Sequence, residues 1–386
     1  MSEFDLSAKT GPYSCPACGG RMVFDPASQQ LKCPYCGTLK PFQCARKTPN
    51  EYDIRFPPPE SDAAWIDETR VARCEDCGAE FVETGETRVK ICPFCGSKRM
   101  QESAAQAGIA PEGVIPFQLT RREAQERFRK WIRGHIFVCG TVKKQAAEGN
   151  LTGVYLPRWT YVDDAVSVYE GKAGRHYQGQ IPYTVTDPDG KERTEKRSEQ
   201  LTRWERVSRT LEQRFDDVMI PGSERLPQAM LNSVMPWKMS QLRRYVPEFI
   251  AGYACEKPVA DVQAGWQEAQ AMVDRRLAEL AERDILSSAD EAQVQRLETE
   301  HHNIRYRLTL VPMYLNAYTY HKKKRHVLIN GQNGKVAGHA PISPLRIAAA
   351  VLLGLLILLG LFALFMSRGG SDYMFNDLSG LNRMLL

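Results

Sequence analysis

Eight of the eleven cysteines fall into four Cys-x-x-Cys pairs, and the pairs come in two sets of two. Cys15 and Cys18 are separated from Cys33 and Cys36 by 14 residues, and the same 14 residues separate Cys74 and Cys77 from Cys92 and Cys95. A glycine follows each pair: Gly19, Gly37, Gly78 and Gly96. Proline follows the first cysteine in three of them, as Pro16, Pro34 and Pro93. This is the pattern of a metal knuckle. The chain turns sharply so that two sulfurs face one ion, and glycine tolerates the positive φ that the turn needs. Four thiolates in a tetrahedron suit zinc, which predicts two Zn(2+) per chain; an iron centre of rubredoxin type is the competing assignment. Four thiolates leave no position for a water molecule, so the ions are expected to hold structure rather than to catalyse.

Short β-rich stretches lie between the pairs. GRMVFDPASQQLK reads as two strands around a turn at Asp25-Pro26, and AEFVETGETRVKI as two strands around Gly85. Two knuckles on a hairpin make a zinc ribbon, so the spacing predicts ribbons over 1–44 and 74–100, with linkers over 45–73 and 101–112. Tyr35 and Phe94, on the second and fourth knuckles, are either cover for the metal or apolar anchors for a partner. Cys44, Cys139 and Cys255 have no partner in the pattern and read as buried thiols.

Charge and composition narrow the function classes. The formal net charge is +5 over 386 residues, too mild to announce a nucleic-acid binder. Residues 1–100 hold 13 Lys and Arg against 14 Asp and Glu, a net of −1, before each four-thiolate zinc adds roughly −2. Phosphate binding wants clustered positive charge, so protein docking is the favoured role of the ribbons and DNA binding the alternative. The N-terminal stretch MSEFDLSAKTGPYSC has no apolar core of a secretory signal, and thiols kept inside the cell stay reduced.

Residues 347–366 carry no charged or strongly polar side chain. Twenty helical residues at about 1.5 Å each span roughly 30 Å, one hydrocarbon core. The sequence therefore predicts a transmembrane helix over 345–367 and a short tail over 368–386. Positive residues beside the span tie at Lys335 and Arg346 against Arg368 and Arg383; Lys322, Lys323, Lys324 and Arg325 tip the balance towards cytoplasmic ribbons. The run 322–325 reads as a polar hairpin tip, or as a contact for anionic headgroups.

The body, 113–344, reads as α+β. Thr120 is an N-cap with Glu123 closing a capping box, and Ala124, Phe128, Trp131 and Ile132 mark one helix face. A second helix is expected over 263–286, with Trp266, Val273, Leu277 and Leu280 on one face, and a third over 290–303. GVYLPRWTYVDDAVSVYEG, HYQGQIPYTVTD, RFDDVMIP, LTLVPMYLNAYTYH and RHVLING read as strands, with a tight turn at Asn333-Gly334. LPRWTY and VPMYLNAYTY suggest an internal repeat. Enzyme motifs are missing: GQNGKVAG is no phosphate loop, and neither a G-x-S-x-G elbow nor an H-E-x-x-H helix occurs. His301-His302 is expected on a solvated helix face, and Asp163-Asp164 and Asp216-Asp217 at strand edges or turns rather than as acid pairs.

PEGVIPFQLTRREA, GVYLPRW, LPQAMLNSV, YVPEFIAGY, LVPMYLNAYTY and VLINGQNGKVAGHAPIS resemble a family of bacterial double-zinc-ribbon, single-pass membrane proteins, from Cys15 to the apolar helix. Members are often labelled primosomal protein N′ (replication factor Y) or helicase-like. No nucleotide-binding loop in this sequence supports that label. The resemblance implies a non-enzymatic adaptor at the bacterial inner membrane. Its implied partners are phage-shock-protein-A-like, flotillin-like (SPFH) and TPM-domain membrane-stress proteins. The carry-over by residue is confined to the eight cysteines. Tyr314 stands where the family usually has tryptophan.

Overall fold

The computed structural model describes residues 13–43, 48–56, 69–84, 88–103, 108–135, 137–138, 140, 151–186, 188–259, 261–320, 323–338 and 344–369. Cys44 and Cys139 lie outside these residues.

The first cysteine module is a three-stranded antiparallel sheet of β1 (Val23–Asp25), β2 (Gln30–Lys32) and β3 (Leu39–Lys40). Its hairpin turns where the sequence places it: Ser28 donates to Asp25 through N–H and hydroxyl, and Gln29 takes φ 55°.

The second module is built differently. β4 (Tyr52–Asp53), β5 (Thr69–Cys74), β6 (Glu80–Thr84), β7 (Met100–Ser103) and β8 (Gly113–Val114) all join one twelve-stranded sheet. β6 pairs with β5, which precedes the first cysteine pair, and not with a strand after Gly85. Gly85 lies outside the described residues, and residues 88–90 are not in a strand, so among the described residues the predicted second hairpin does not form. β4 and β5 fall in the stretch read as a linker, and β4 pairs with the body at Arg305 and Tyr306.

The rest of the chain runs α1 (Arg121–Gly134), β9 (Thr152–Thr186), β10 (Glu192–Pro221), α2 (Gln228–Ser233), β11 (Arg243–Arg244), β12 (Ala254–Glu256), α3 (Val262–Leu286), β13 (Glu291–Tyr320), β14 (Lys323–Asn330), β15 (Val336–Gly338) and α4 (Pro344–Gly369). The body is mostly sheet rather than an even mixture of helix and strand. α1 forms as predicted. Thr120 accepts from the Glu123 N–H, Glu123 accepts in return, and Ala124, Phe128 and Ile132 are buried.

Three very long strands dominate. β9, of 35 residues, pairs antiparallel with β10 along one edge and with β13 along the other. The two proline-aromatic segments that suggest a repeat lie side by side in this ladder, with Leu156 opposite Val311. β13 begins at Glu291, so the helix expected over 290–303 is a strand. Two register shifts explain the misreading. One falls between Val294 and Arg296, so that Val294 and Leu297, three apart, both lie half-buried against the same cluster as Ala292. A bulge inside an alternating strand thereby imitates helical spacing.

α3 covers this ladder. Its buried stripe is Gly265, Ala269, Val273, Leu277, Ala281 and Ile285, spaced by four. Val273 and Leu277 were expected there, but Trp266 and Leu280 are only half-buried, because small residues let the helix lie close. A Cβ on Gly265 would sit 2.4 Å from the Tyr161 hydroxyl, which itself donates to the Val262 carbonyl at 2.7 Å. Gly265→Ala should therefore lower stability by about 1–3 kcal/mol, as overpacking does. A melt of the full-length protein in detergent checks this. A rise in Tm, the usual gain of about 1 kcal/mol for Gly to Ala inside a helix, would contradict it.

α4 contains a stretch, Ile347–Phe365, long and apolar enough to cross a membrane, with a mean hydropathy of 2.9 and no part buried against the protein.

Candidate metal centres

Each cysteine set converges. In both, the four sulfurs lie within 4.8 Å of one another. Cys15 to Cys36, Cys18 to Cys33 and Cys18 to Cys36 are 3.5 Å apart. Cys74 to Cys95 is 3.5 Å and Cys77 to Cys92 is 3.6 Å. A disulfide would hold two sulfurs at about 2.05 Å. A tetrahedron with metal–sulfur bonds of about 2.3 Å has edges of about 3.8 Å. The observed spacing fits one tetrahedral ion per cluster.

The backbone explains the convergence. In all four knuckles the glycine N–H donates to the first cysteine's carbonyl at 2.8–2.9 Å. The first cysteine's own N–H donates to the carbonyl five residues on, at 2.7–2.9 Å. Gly19, Gly37, Gly78 and Gly96 take φ between 69° and 78°, which a side chain would oppose. The first cysteine of each pair, Cys15, Cys33, Cys74 or Cys92, is buried; of the second, Cys18 and Cys36 are exposed, and Cys77 and Cys95 are half-buried. The Thr38 hydroxyl and N–H hold the Cys36 thiol down at about 6, whereas burial pushes the Cys92 thiol up.

Side chains from the body seat the second centre. Arg225 donates to the carbonyls of Cys77 at 2.8 Å and Gly78 at 2.7 Å. The His326 Nε2 lies 2.6 Å from the Phe94 carbonyl. Arg225 also faces Glu256, a buried carboxylate that accepts from the Ser223 hydroxyl at 2.6 Å and whose pKa burial pushes up to about 7. The first centre is seated by packing: Phe24 and Phe42 meet Phe249 edge to face, and the Phe24 N–H donates to the Ala251 carbonyl. Of the two knuckle aromatics, Phe94 is buried and stacks on Phe81, so it is cover rather than a partner's anchor. Tyr35 is 79% exposed, its ring over Gly20. Cys255 is a buried thiol, as expected.

The histidine pair is not on a solvated helix face. His301 is nearly buried on β13, with Nδ1 2.7 Å from Asp163 and Nε2 3.2 Å from Asp274 on α3, and its ring edge-on to Trp266. Asp163, expected at a strand edge or turn, lies wholly buried mid-strand, and burial pushes its carboxyl up. His302 faces water, and Asp164 is half-exposed and accepts from Arg214 and Asn303, on the outward side that strand alternation gives both. Asp217 does sit at an irregular point, a bulge with φ 61°, where it receives Arg307. These polar contacts bind β9, β13 and α3 together.

No protein-family model matches the chain. It is 24% identical over 363 residues to the uncharacterized protein YdjG of Bacillus subtilis (strain 168), a match covering 92% of this chain and 98% of that protein. No solved structure matches.

Removing the outer support of a metal ligand commonly weakens metal binding 10–100-fold. Arg225→Ala should speed metal loss to a chelator from the second centre by at least tenfold and leave the first unchanged. Competition with a chromogenic chelator, resolved into two phases, reads this. Equal rates for both centres would contradict the seating role.

Proposed function

We propose that this chain is a non-enzymatic, membrane-anchored adaptor whose two zinc ions lock docking surfaces beside the bilayer. The observation that carries the reading is two closed four-sulfur centres on a largely sheet body followed by an apolar helix. Zinc is the ion that the donor set favours, and four thiolates leave it no position for a substrate. The helix Ile347–Phe365 would tether the body, and tethering raises the effective concentration of weak docking sites at the surface. On this reading the ribbons and body lie in the cytoplasm, as the positive residues before the helix favour, and the resemblance implies the bacterial inner membrane. Cytoplasmic membrane-stress proteins of the phage-shock-protein-A-like, SPFH and TPM-domain kinds are the partners that the resemblance implies. The end-to-end match to a Bacillus subtilis protein is in keeping with a bacterial setting.

The test is imaging of a fluorescent phage-shock-protein-A-like neighbour. It should form membrane foci with the full-length protein. It should become diffuse when residues from Ile347 onward are deleted, or when Cys74 and Cys77 are both replaced by Ser. Unchanged foci in both variants would overturn the adaptor reading and favour a DNA-associated role.

A further inference from the structure

An open cleft of about 420 Å³ lies where the two metal modules meet the body. One wall is Val23 and Phe24 on β1 of the first module. Another is residues 88–91, the segment that runs directly into Cys92. The floor is Tyr253 and Tyr314, with the phenol of Tyr314 donating to the Leu119 carbonyl at 2.8 Å. Two glycines make this floor possible. A Cβ at Gly153 would lie 2.5 Å from the Tyr253 ring, and one at Gly252, where φ is +83°, would lie 2.6 Å from Val23.

Arg88, Lys90 and Arg121 ring the cleft, and among the described residues no carboxylate lines it. Arg88 also faces Glu83 at 3.5 Å, while Lys90 and Arg121 are exposed. This is a cationic mouth over an apolar and phenolic floor, set between modules whose first 100 residues are net acidic. The local sign is therefore opposite to that of the two modules that form its walls.

We propose that this cleft docks a short peptide segment in which carboxylates flank an apolar or aromatic side chain. The proposal rests on the adaptor reading and names the chemistry of the partner. The volume matches a few side chains rather than a folded domain. The apolar side chain would lie against Tyr253 and Tyr314 while its acidic neighbours meet Lys90 and Arg121, so that charge sets the specificity. A nucleic acid fits less well. A duplex carries a charge about every 1.7 Å of its axis, and where it left the cleft along the modules it would meet net negative charge. Because the two walls belong to separate metal modules, the cleft exists only while both ions hold their knuckles.

The test is fluorescence anisotropy on the zinc-loaded, full-length protein in detergent. The probe is a fluorescein-labelled decapeptide alternating Asp and Glu with Leu and Phe. A control replaces every acid by its amide, and a ten-nucleotide single-stranded DNA serves as competitor. The acidic peptide should bind at least tenfold more tightly than the amide. The Lys90→Glu, Arg121→Glu double variant, whose two side chains are exposed, should weaken binding at least tenfold, and chelation of the metal should do the same. The proposal is overturned if the acidic peptide does not bind, if the amide binds equally, if the double variant binds unchanged, or if the DNA displaces the peptide. Membrane foci that survive in the double variant while peptide binding is lost would sink the cleft as the docking site and leave the adaptor reading standing.

Discussion

Four sulfurs held about 3.5 Å apart are the constraint on which the rest of the molecule depends. As thiolates they repel, by about 4 kcal/mol for two unit charges 4 Å apart at the effective dielectric of a protein surface. A dication among them reverses the sign of that energy. Apart from the packing of Phe24 and Phe42 on Phe249, the first module has little else to hold it. Its buried apolar cluster is Cys15, Met22, Leu31, Cys33 and Ala251, two of which are ligands and one of which belongs to the body. A metal ion held by the four sulfurs would substitute for a core that a segment of this size cannot build.

The second module depends on the body in another way. Its strand β6 pairs with β12, and β12 pairs with β9, so backbone hydrogen bonds run from the metal centre into the longest ladder of the protein. Arg225 and His326 add contacts to its two knuckles from different parts of the body. Further along, the ladder is buttressed by α3, which the Asp163–His301–Asp274 chain and the Tyr169–Asp284 hydrogen bond fasten to β9 and β13. Beyond residue 174, β9 and β10 continue as a two-stranded ribbon of about 12 residues, roughly 40 Å at the usual rise of a strand. The docking cleft proposed above sits at the opposite end of β9, where Gly153 opens its floor.

The metal centres were legible in the sequence because a knuckle is local: two cysteines, a glycine and a turn identify themselves within five residues. The capping box at Thr120 and the hairpin at Asp25-Pro26 were legible for the same reason. What escaped was non-local. Nothing in 45–73 announces that Tyr52 will pair with Tyr306, or that Thr69 to Cys74 will be the strand that β6 needs. The bulge at Val294/Arg296 shifted the phase of an alternating strand and made it resemble a helix. That error carried His301 with it, since a histidine on a helix face and one at an inward strand position meet different neighbours. Gly265, Ala269 and Ala281 leave no hydrophobic signal in the sequence because their side chains are small, although they set how close the helix lies.

The central claim is that each cysteine set holds one zinc ion and that the fold requires it. Elemental analysis of full-length protein purified without added metal tests this most directly. The account predicts about two zinc per chain, falling to about one when Cys33 or Cys92 is replaced by Ser. Stoichiometric iron, or a folded protein with no bound metal, would contradict it.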